Sequence, residues 1–144
     1  MKKTFYSLMI TILLIVMSGC SKKSNPVNAP PPPQEAQPSF SITAQPVTLV
    51  TGDAGLSFIA RCTTDDVNLI KVVVENPRGA SVTYNANNNL FVKDQEFQCQ
   101  DNGQGYVKYL GTWILTFVGN KASGSKSSFN VSVSFSVTGK VKAE

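Results

Sequence analysis

From Phe129 to Thr138 the chain alternates without a break. Phe129, Val131, Val133, Phe135 and Val137 take every second position, with Asn130, Ser132, Ser134, Ser136 and Thr138 against them. Successive side chains of an extended strand point to opposite faces, so this segment reads as a strand with one apolar and one polar face. A helix, with its period of about 3.6 residues, would scatter the same side chains around its axis. Slipping the strand by one residue would turn its five large apolar side chains into water. At roughly 1.5–3 kcal/mol for each buried side chain, that slip is prohibitive.

The same period runs back to Phe40. Phe40, Ile42 and Ala44 alternate with Ser41 and Thr43, and Val47 and Leu49 follow Pro46, a residue suited to an edge strand or bulge. After the turn Gly52-Asp53-Ala54-Gly55, Leu56, Phe58, Ala60 and Cys62 share one face. Thr63 to Asp66 form a second turn. The nearly continuous β-branched run from Val67 to Val74 is expected to be a central strand covered on both faces. Asn76-Pro77-Arg78-Gly79 closes it, Ser81 to Tyr84 is a short strand, and Asn85 to Asn89 is expected as a polar loop. Leu90 to Gln100 reads as a strand or irregular edge with Phe97 and Cys99 on one face. Beyond the turn Asp101 to Gly105, Tyr106 to Val118 reads as one strand, with Trp113, Leu115 and Phe117 on one side and Thr112, Ile114, Thr116 and Val118 on the other. About seven strands in roughly 105 residues, with no helical period among them, predict an all-β chain built as a single antiparallel β-sandwich.

In strand number, size and turn spacing this domain resembles the immunoglobulin-like, Greek-key sandwiches. It departs from true immunoglobulin domains in two ways: Trp113, the one tryptophan, falls on the sixth strand instead of the third, and Cys99 precedes that strand. Transthyretin-like and other Greek-key topologies stay open.

The beginning of the chain has a different character. Lys2 and Lys3 precede an apolar run from Phe5 to Met17, about 13 residues where a membrane span needs about 20. The run ends in Ile15-Val16-Met17-Ser18-Gly19-Cys20, which resembles the lipobox of bacterial lipoproteins. That resemblance implies cleavage before Cys20, a diacylglycerol thioether on its sulfur and anchorage of the mature protein to a membrane. An ordinary secretory signal cut after Gly19 is the alternative. Residues 1–19 are thus expected as a signal peptide, 20–38 as a lipidated linker and 39–144 as the sandwich. The linker, through Ala29-Pro30-Pro31-Pro32-Pro33 to Pro38, favours extended polyproline II and acts as a spacer. Ser21 and Lys22 follow the cysteine without the aspartate that resembles an inner-membrane retention signal, which points to an outer membrane.

Charge and residue content bound the chemistry. The whole chain carries 13 basic and 9 acidic side chains. Over residues 39–144 there are nine basic against eight acidic, a net +1, too dilute for the basic face that nucleic acid requires. Histidine is absent, which removes the commonest general base and the commonest metal ligand. No enzyme activity, cofactor or metal is expected. Asp53, Asp65, Asp66 and Asp101 all fall in turns without the spacing of a calcium loop. Ser123 and Lys126 match the S-x-x-K pattern of serine acyl-enzymes but lack its partner motifs. Cys62 and Cys99, an even pair in an exported protein, are expected to form a disulfide.

Tyr84, Tyr106 and Tyr109, with Asn87 and Asn88 nearby in sequence, form the candidate binding surface. Exposed rings suit stacking on a glycan or capture of a peptide; ordinary cross-strand packing is the competing assignment. These readings converge on a membrane-anchored envelope lipoprotein whose sandwich binds or assembles with an envelope protein. An accessory lipoprotein of a secretion or surface machine and a carbohydrate-binding module are the alternatives.

Replacing Cys20 by alanine is expected to leave the protein unlipidated and to move it out of the membrane fraction, since stable anchoring depends on the acyl chains. Unchanged membrane fractionation of the variant would contradict the lipobox reading.

Overall fold

Residues 35–101 and 104–139 are described by a computed structural model, and the signal segment, Cys20 and most of the spacer lie outside them. The strands among the described residues are β1 (Phe40–Thr48), β2 (Ala54–Cys62), β3 (Val67–Glu75), β4 (Ser81–Phe91), β5 (Phe97–Gln98), β6 (Tyr106–Val107), β7 (Gly111–Lys121) and β8 (Ser128–Val137). Every pairing is antiparallel. One sheet runs β1-β2-β5, with β6 also on β2, and the other runs β4-β3-β7-β8. The described residues are all-β, and their two four-stranded sheets make a β-sandwich.

The inward faces meet through aromatic rings. Phe40 of β1 stacks on Phe117 of β7 with centroids 4.1 Å apart and planes within 6°. Phe58 of β2 lies 5.1 Å from Trp113 of β7 and edge-on to Phe135 of β8 at 5.9 Å. Around them Leu56, Leu69, Leu115, Val67, Val72 and Val74 are fully buried. The register of β8 is the one its alternation demands: Phe129 and Val137 are buried, Val131, Val133 and Phe135 pack against the core, and the serines face solvent.

Four segments differ from the expectation. β3 is central in its sheet, between β4 and β7, but it is covered on one face only. Val67, Leu69, Val72 and Val74 point inward while Ile70 is 42% exposed. The buried positions change parity because the register slips between Leu69 and Lys71, where Ile70 is an extra residue against β7. Such a bulge turns the strand without losing its buried face. The same site disposes of the expected Asn-rich loop. β4 is one strand of 11 residues, and Ala86, Asn87 and Asn88 bulge within it opposite Ile70, since Leu69 pairs with Asn89 and Lys71 with Asn85. Asn87 and Asn88 have φ of 55° and 58°, a conformation asparagine tolerates well.

The third difference lies along the free side of β2. The expected strand from Leu90 to Gln100 shrinks to β5, opposite Ile59 and Ala60. The expected strand from Tyr106 to Val118 is split: β6 pairs with Gly55 and Leu56 in one sheet, and β7 belongs to the other. The chain changes sheets between Val107 and Gly111, where Gly111 takes φ of 125° and a Cβ would sit 3.0 Å from that of Pro77. Between β5 and β6 the edge of β2 is closed by a side chain. Gln100 accepts a hydrogen bond from the Phe58 N–H at 3.1 Å through Oε1 and donates to Ser57 Oγ through Nε2. The Phe58 carbonyl accepts from the Cys99 N–H at 2.9 Å. Both backbone polar groups of Phe58, which has no strand partner on this side, are thereby satisfied.

The fourth concerns the spacer, read from the sequence as an extended tether through Pro38. Pro38 is buried, and Glu35 is hydrogen-bonded to the loop between β7 and β8.

Gly119 marks where the bulge brings backbones close: a Cβ there would collide with the Asn68 carbonyl oxygen and lie 2.9 Å from Phe129 Cζ. Gly119→Ala is expected to cost about 1–3 kcal/mol by overpacking, seen as a lowered midpoint in urea or heat. A variant that melts with the parent would show that the strand can open there freely.

Candidate functional site

The change of sheet at residues 107–111 leaves one flank of the sandwich open. On one side stands the start of β4, an edge strand whose inward positions Val82 and Tyr84 have no opposing strand above them among the described residues. On the other lie Gln100, Asp101 and residues 104–109. Two adjoining depressions of about 180 Å³ each lie between them. Val82 and Tyr106 line both; Tyr84, Gln100, Asp101 and Gln104 complete one, and Val74, Val107, Tyr109 and Trp113 the other. A third, of about 250 Å³, adjoins across Gln104, Gly105 and Val107, against Leu49 and Val50 of the β1–β2 turn. Exposed apolar side chains line these depressions: Val82 is 56%, Val107 45% and Val50 98% exposed.

The three tyrosines of the candidate surface are therefore brought together along this groove. Asn87 and Asn88 are not: they are exposed in the β4 bulge, farther along the strand than Tyr84 and outside the lining of either depression. The tyrosines are also partly committed to structure. Tyr106 Oη donates to the Cys99 carbonyl oxygen at 2.5 Å, and its ring packs against Phe58 and Trp113. Burial pushes the Tyr106 phenol well above its ordinary range and raises that of Tyr84. Tyr109 lies nearly parallel to Trp113 at 6.4 Å, and its carbonyl oxygen accepts the Trp113 indole N–H at 3.0 Å. The Arg78 guanidinium covers a face of the Tyr109 ring at 4.1 Å, a contact worth about 0.5–1 kcal/mol in such an exposed place. Arg78 is held there by the β3–β4 turn, where Asn76 Oδ1 accepts from the N–H groups of Arg78 and Ala80 at 2.8 and 3.2 Å.

The expected disulfide requires a correction. Cys62 and Cys99 are both free and both buried. Their side chains face the core as expected, but the register keeps them apart. Ala60 pairs with Phe97 and Ile59 with Gln98, so Cys99 stands opposite Phe58, where its N–H meets the Phe58 carbonyl. Cys62 is four residues farther along β2, or roughly 13 Å at the rise of a strand. A disulfide spans at most about 7 Å between Cα atoms. Burial pushes the Cys99 thiol up to about 12 from 9.0, so it is an inert core residue.

Ser123 and Lys126 lie in the β7–β8 hairpin turn, with the Lys126 N–H donating to the Ser123 carbonyl, not at a helix start. The four turn aspartates are dispersed. Asp53 accepts from Thr51, Asp66 from the Lys93 N–H at 2.7 Å, Asp101 borders the groove, and Asp65 faces Lys121.

That last contact belongs to a cluster the sequence reading missed. Lys121 closes β7 on the inward parity of Trp113, Leu115 and Phe117, and only 7% of it is exposed. Its Nζ lies 3.1 Å from Asp65 Oδ1 and 3.5 Å from Glu35 Oε1. Glu35 also accepts from the hydroxyls of Ser125 and Ser127. The end of the spacer is so pinned to the β7–β8 loop. The Ser125 and Ser127 hydroxyls and Lys121 hold the Glu35 carboxyl below its ordinary value, and Thr64 and Lys121 do the same for Asp65. The Asp65 and Glu35 carboxylates raise Lys121 in turn.

Comparison with protein-family models, curated proteins and solved structures finds no match for this chain.

The cluster carries a pH signature whose sign follows from linkage. Carboxyls lowered in the folded state stabilise above their ordinary values, 4.5 for Glu35 and 3.8 for Asp65, and that stabilisation is lost as acid protonates them. Lys121 contributes below its ordinary 10.5 and ceases to as pH rises through its raised value. The double variant Glu35→Gln/Asp65→Asn is expected to melt lower at pH 7 and to depend less on pH at both limbs. Parallel melting curves for variant and parent across the acid and alkaline ranges would remove the cluster from the stability of the fold.

Proposed function

We propose that this chain is a non-catalytic envelope lipoprotein, anchored through lipid on Cys20, whose sandwich captures a protein partner at the open flank between β4 and β6. The observation that carries this reading is the groove's lining, where Val82 and Val107 are exposed together beside Tyr106 and Tyr109. Apolar side chains gathered on a concave surface mark binding better than isolated ones do. The edge of β4 adds unpaired backbone groups along the same groove, which suits an extended peptide segment. A glycan platform is less well supported, because stacking on sugars needs open ring faces and Arg78 occupies one face of Tyr109.

The strand order supports an immunoglobulin-like topology for the module. β3, β7 and β8 take the places of the C, F and G strands, β1, β2 and β5/β6 those of A, B and E, and β4 continues the sheet beside C. In that scheme the open flank lies beyond β5 and β6, where among the described residues no strand takes the place of D. The lipid anchor and an outer-membrane location rest on the lipobox and on Ser21-Lys22 after the cysteine, and the spacer supplies reach. An accessory role in a secretion or surface machine is one form that such capture takes.

A photo-crosslinking residue at Val107 of the full chain is expected to trap a discrete envelope protein in living cells, and Val82→Lys to reduce that product at least tenfold. Val82 is solvent-exposed, so the lysine is expected to leave the melting temperature within a few degrees of the parent. Trapping that survives Val82→Lys in a folded protein would place the partner elsewhere.

A further inference from the structure

Each sheet of a sandwich has two edges, and an edge strand offers unpaired N–H and C=O groups to any other chain unless something blocks it. Three of the four edges here carry a block. β1 contains Pro46, β5 and β6 are two-residue pieces, and β4 is interrupted by its Asn87–Asn88 bulge, which leaves only the short stretch Ser81–Asn85 beside the groove regular. β8 carries none. Its ten residues include no proline, glycine or charge, and its register against β7 runs unbroken from Gly111↔Val137 to Asn120↔Ser128. Among the described residues no strand pairs with its outer edge. Three inward side chains, Val131, Val133 and Phe135, are only partly buried there.

The ladder tells which groups are free. The Lys121 N–H donates to the Ser127 carbonyl at 3.0 Å, so alternation makes Phe117/Val131, Leu115/Val133 and Trp113/Phe135 the hydrogen-bonded pairs. Asn130, Ser132, Ser134 and Ser136 therefore turn their N–H and C=O groups to the open edge. We infer that β8 pairs antiparallel with β8 of a second copy about a two-fold axis at Val133, joining the two β4-β3-β7-β8 sheets into one. In that register Val133 meets its own image, and Val131 of each copy meets Phe135 of the other. Ser132 exchanges backbone hydrogen bonds with Ser134 of the other copy, and Asn130 with Ser136. The partly buried side chains on the inner face are covered by one another, and the polar face pairs serine with serine.

Charge selects a second copy over another partner. In a two-fold contact the residues near the axis meet their own images, so a charge there would repel itself. β8 is uncharged throughout, and so are its outward neighbours on β7, Thr112, Ile114, Thr116 and Val118. The inference does not depend on the groove or on the anchor.

The test uses the full chain, expressed in cells, with lysates treated by a mild oxidant and resolved on non-reducing gels. Val133→Cys is expected to give a disulfide-linked dimer that the parent lacks. Adding Ser134→Pro is expected to reduce that dimer at least tenfold: position 134 directs its N–H outward, so proline there blocks an added strand without breaking the β7 ladder. The melting temperature of Ser134→Pro should stay within a few degrees of the parent. If the proline variant fails to fold, Ser134→Lys serves instead, placing like charges across the axis. Absence of the Val133→Cys dimer, its persistence in either folded edge variant, or equal crosslinking from Thr83→Cys on the β4 edge would overturn the inference.

Discussion

Phe58 ties together the two halves of this fold by side chain and backbone at once. Its ring reaches across the sandwich to Trp113 and Phe135 and sideways to Tyr106. Its N–H is bound by the Gln100 side chain and its carbonyl by the Cys99 backbone. Those two hydrogen bonds hold the irregular segment between β5 and β6 against β2 where no strand pairing exists. A buried amide left without them would lose about 1–3 kcal/mol, and the segment that walls the groove would lose its attachment. Core packing and the shape of the open flank thus depend on the same residue.

Much of the sheet structure was legible because period two is a direct image of the strand. Wherever the alternation was uninterrupted, as in β2, β8 and the Phe40–Ala44 part of β1, the strand and its inward face followed from the residues alone. The failures fall where one residue breaks parity. Ile70 is as apolar as its neighbours, so nothing in the run from Val67 to Val74 marks it as the extra residue of a bulge, and the strand reads as buried on both faces. The crossing after Val107 is equally silent, because Tyr106 and Trp113 carry the same inward character although they belong to different sheets. Gly111 was the available signal, as a residue free to take positive φ within an apolar run.

The site was legible in part for the same reason. Of the aromatics least committed to a core face in the sequence, Phe91 packs on Phe97 with centroids 4.4 Å apart, whereas Tyr84, Tyr106 and Tyr109 collect at the half-buried flank. Asn87 and Asn88 were grouped with them by closeness in sequence, which a strand of 11 residues does not preserve in space. The cysteine pair failed on register. Inward parity was right for both, but parity says nothing of position along the strand, and four residues of offset put a bond out of reach. Lys121 was the opposite case. A lysine on the apolar parity of β7 needs a carboxylate within reach, and the sequence held the clue without naming Asp65 or Glu35 as the partners.

The pinning of Glu35 to the β7–β8 loop has a mechanical consequence. The chain enters the domain at the end where β1 begins and β7 turns into β8, while Tyr109 and the Arg78 turn lie toward the opposite end, beside the start of β7. A pull between the point of entry and the groove therefore runs along the strands, loading the ladders in shear so that many hydrogen bonds share the force instead of parting one by one. Ser125, Ser127 and Lys121 act as the first clamp on that line, taking up tension before it reaches the pairing of Phe40 with Cys62.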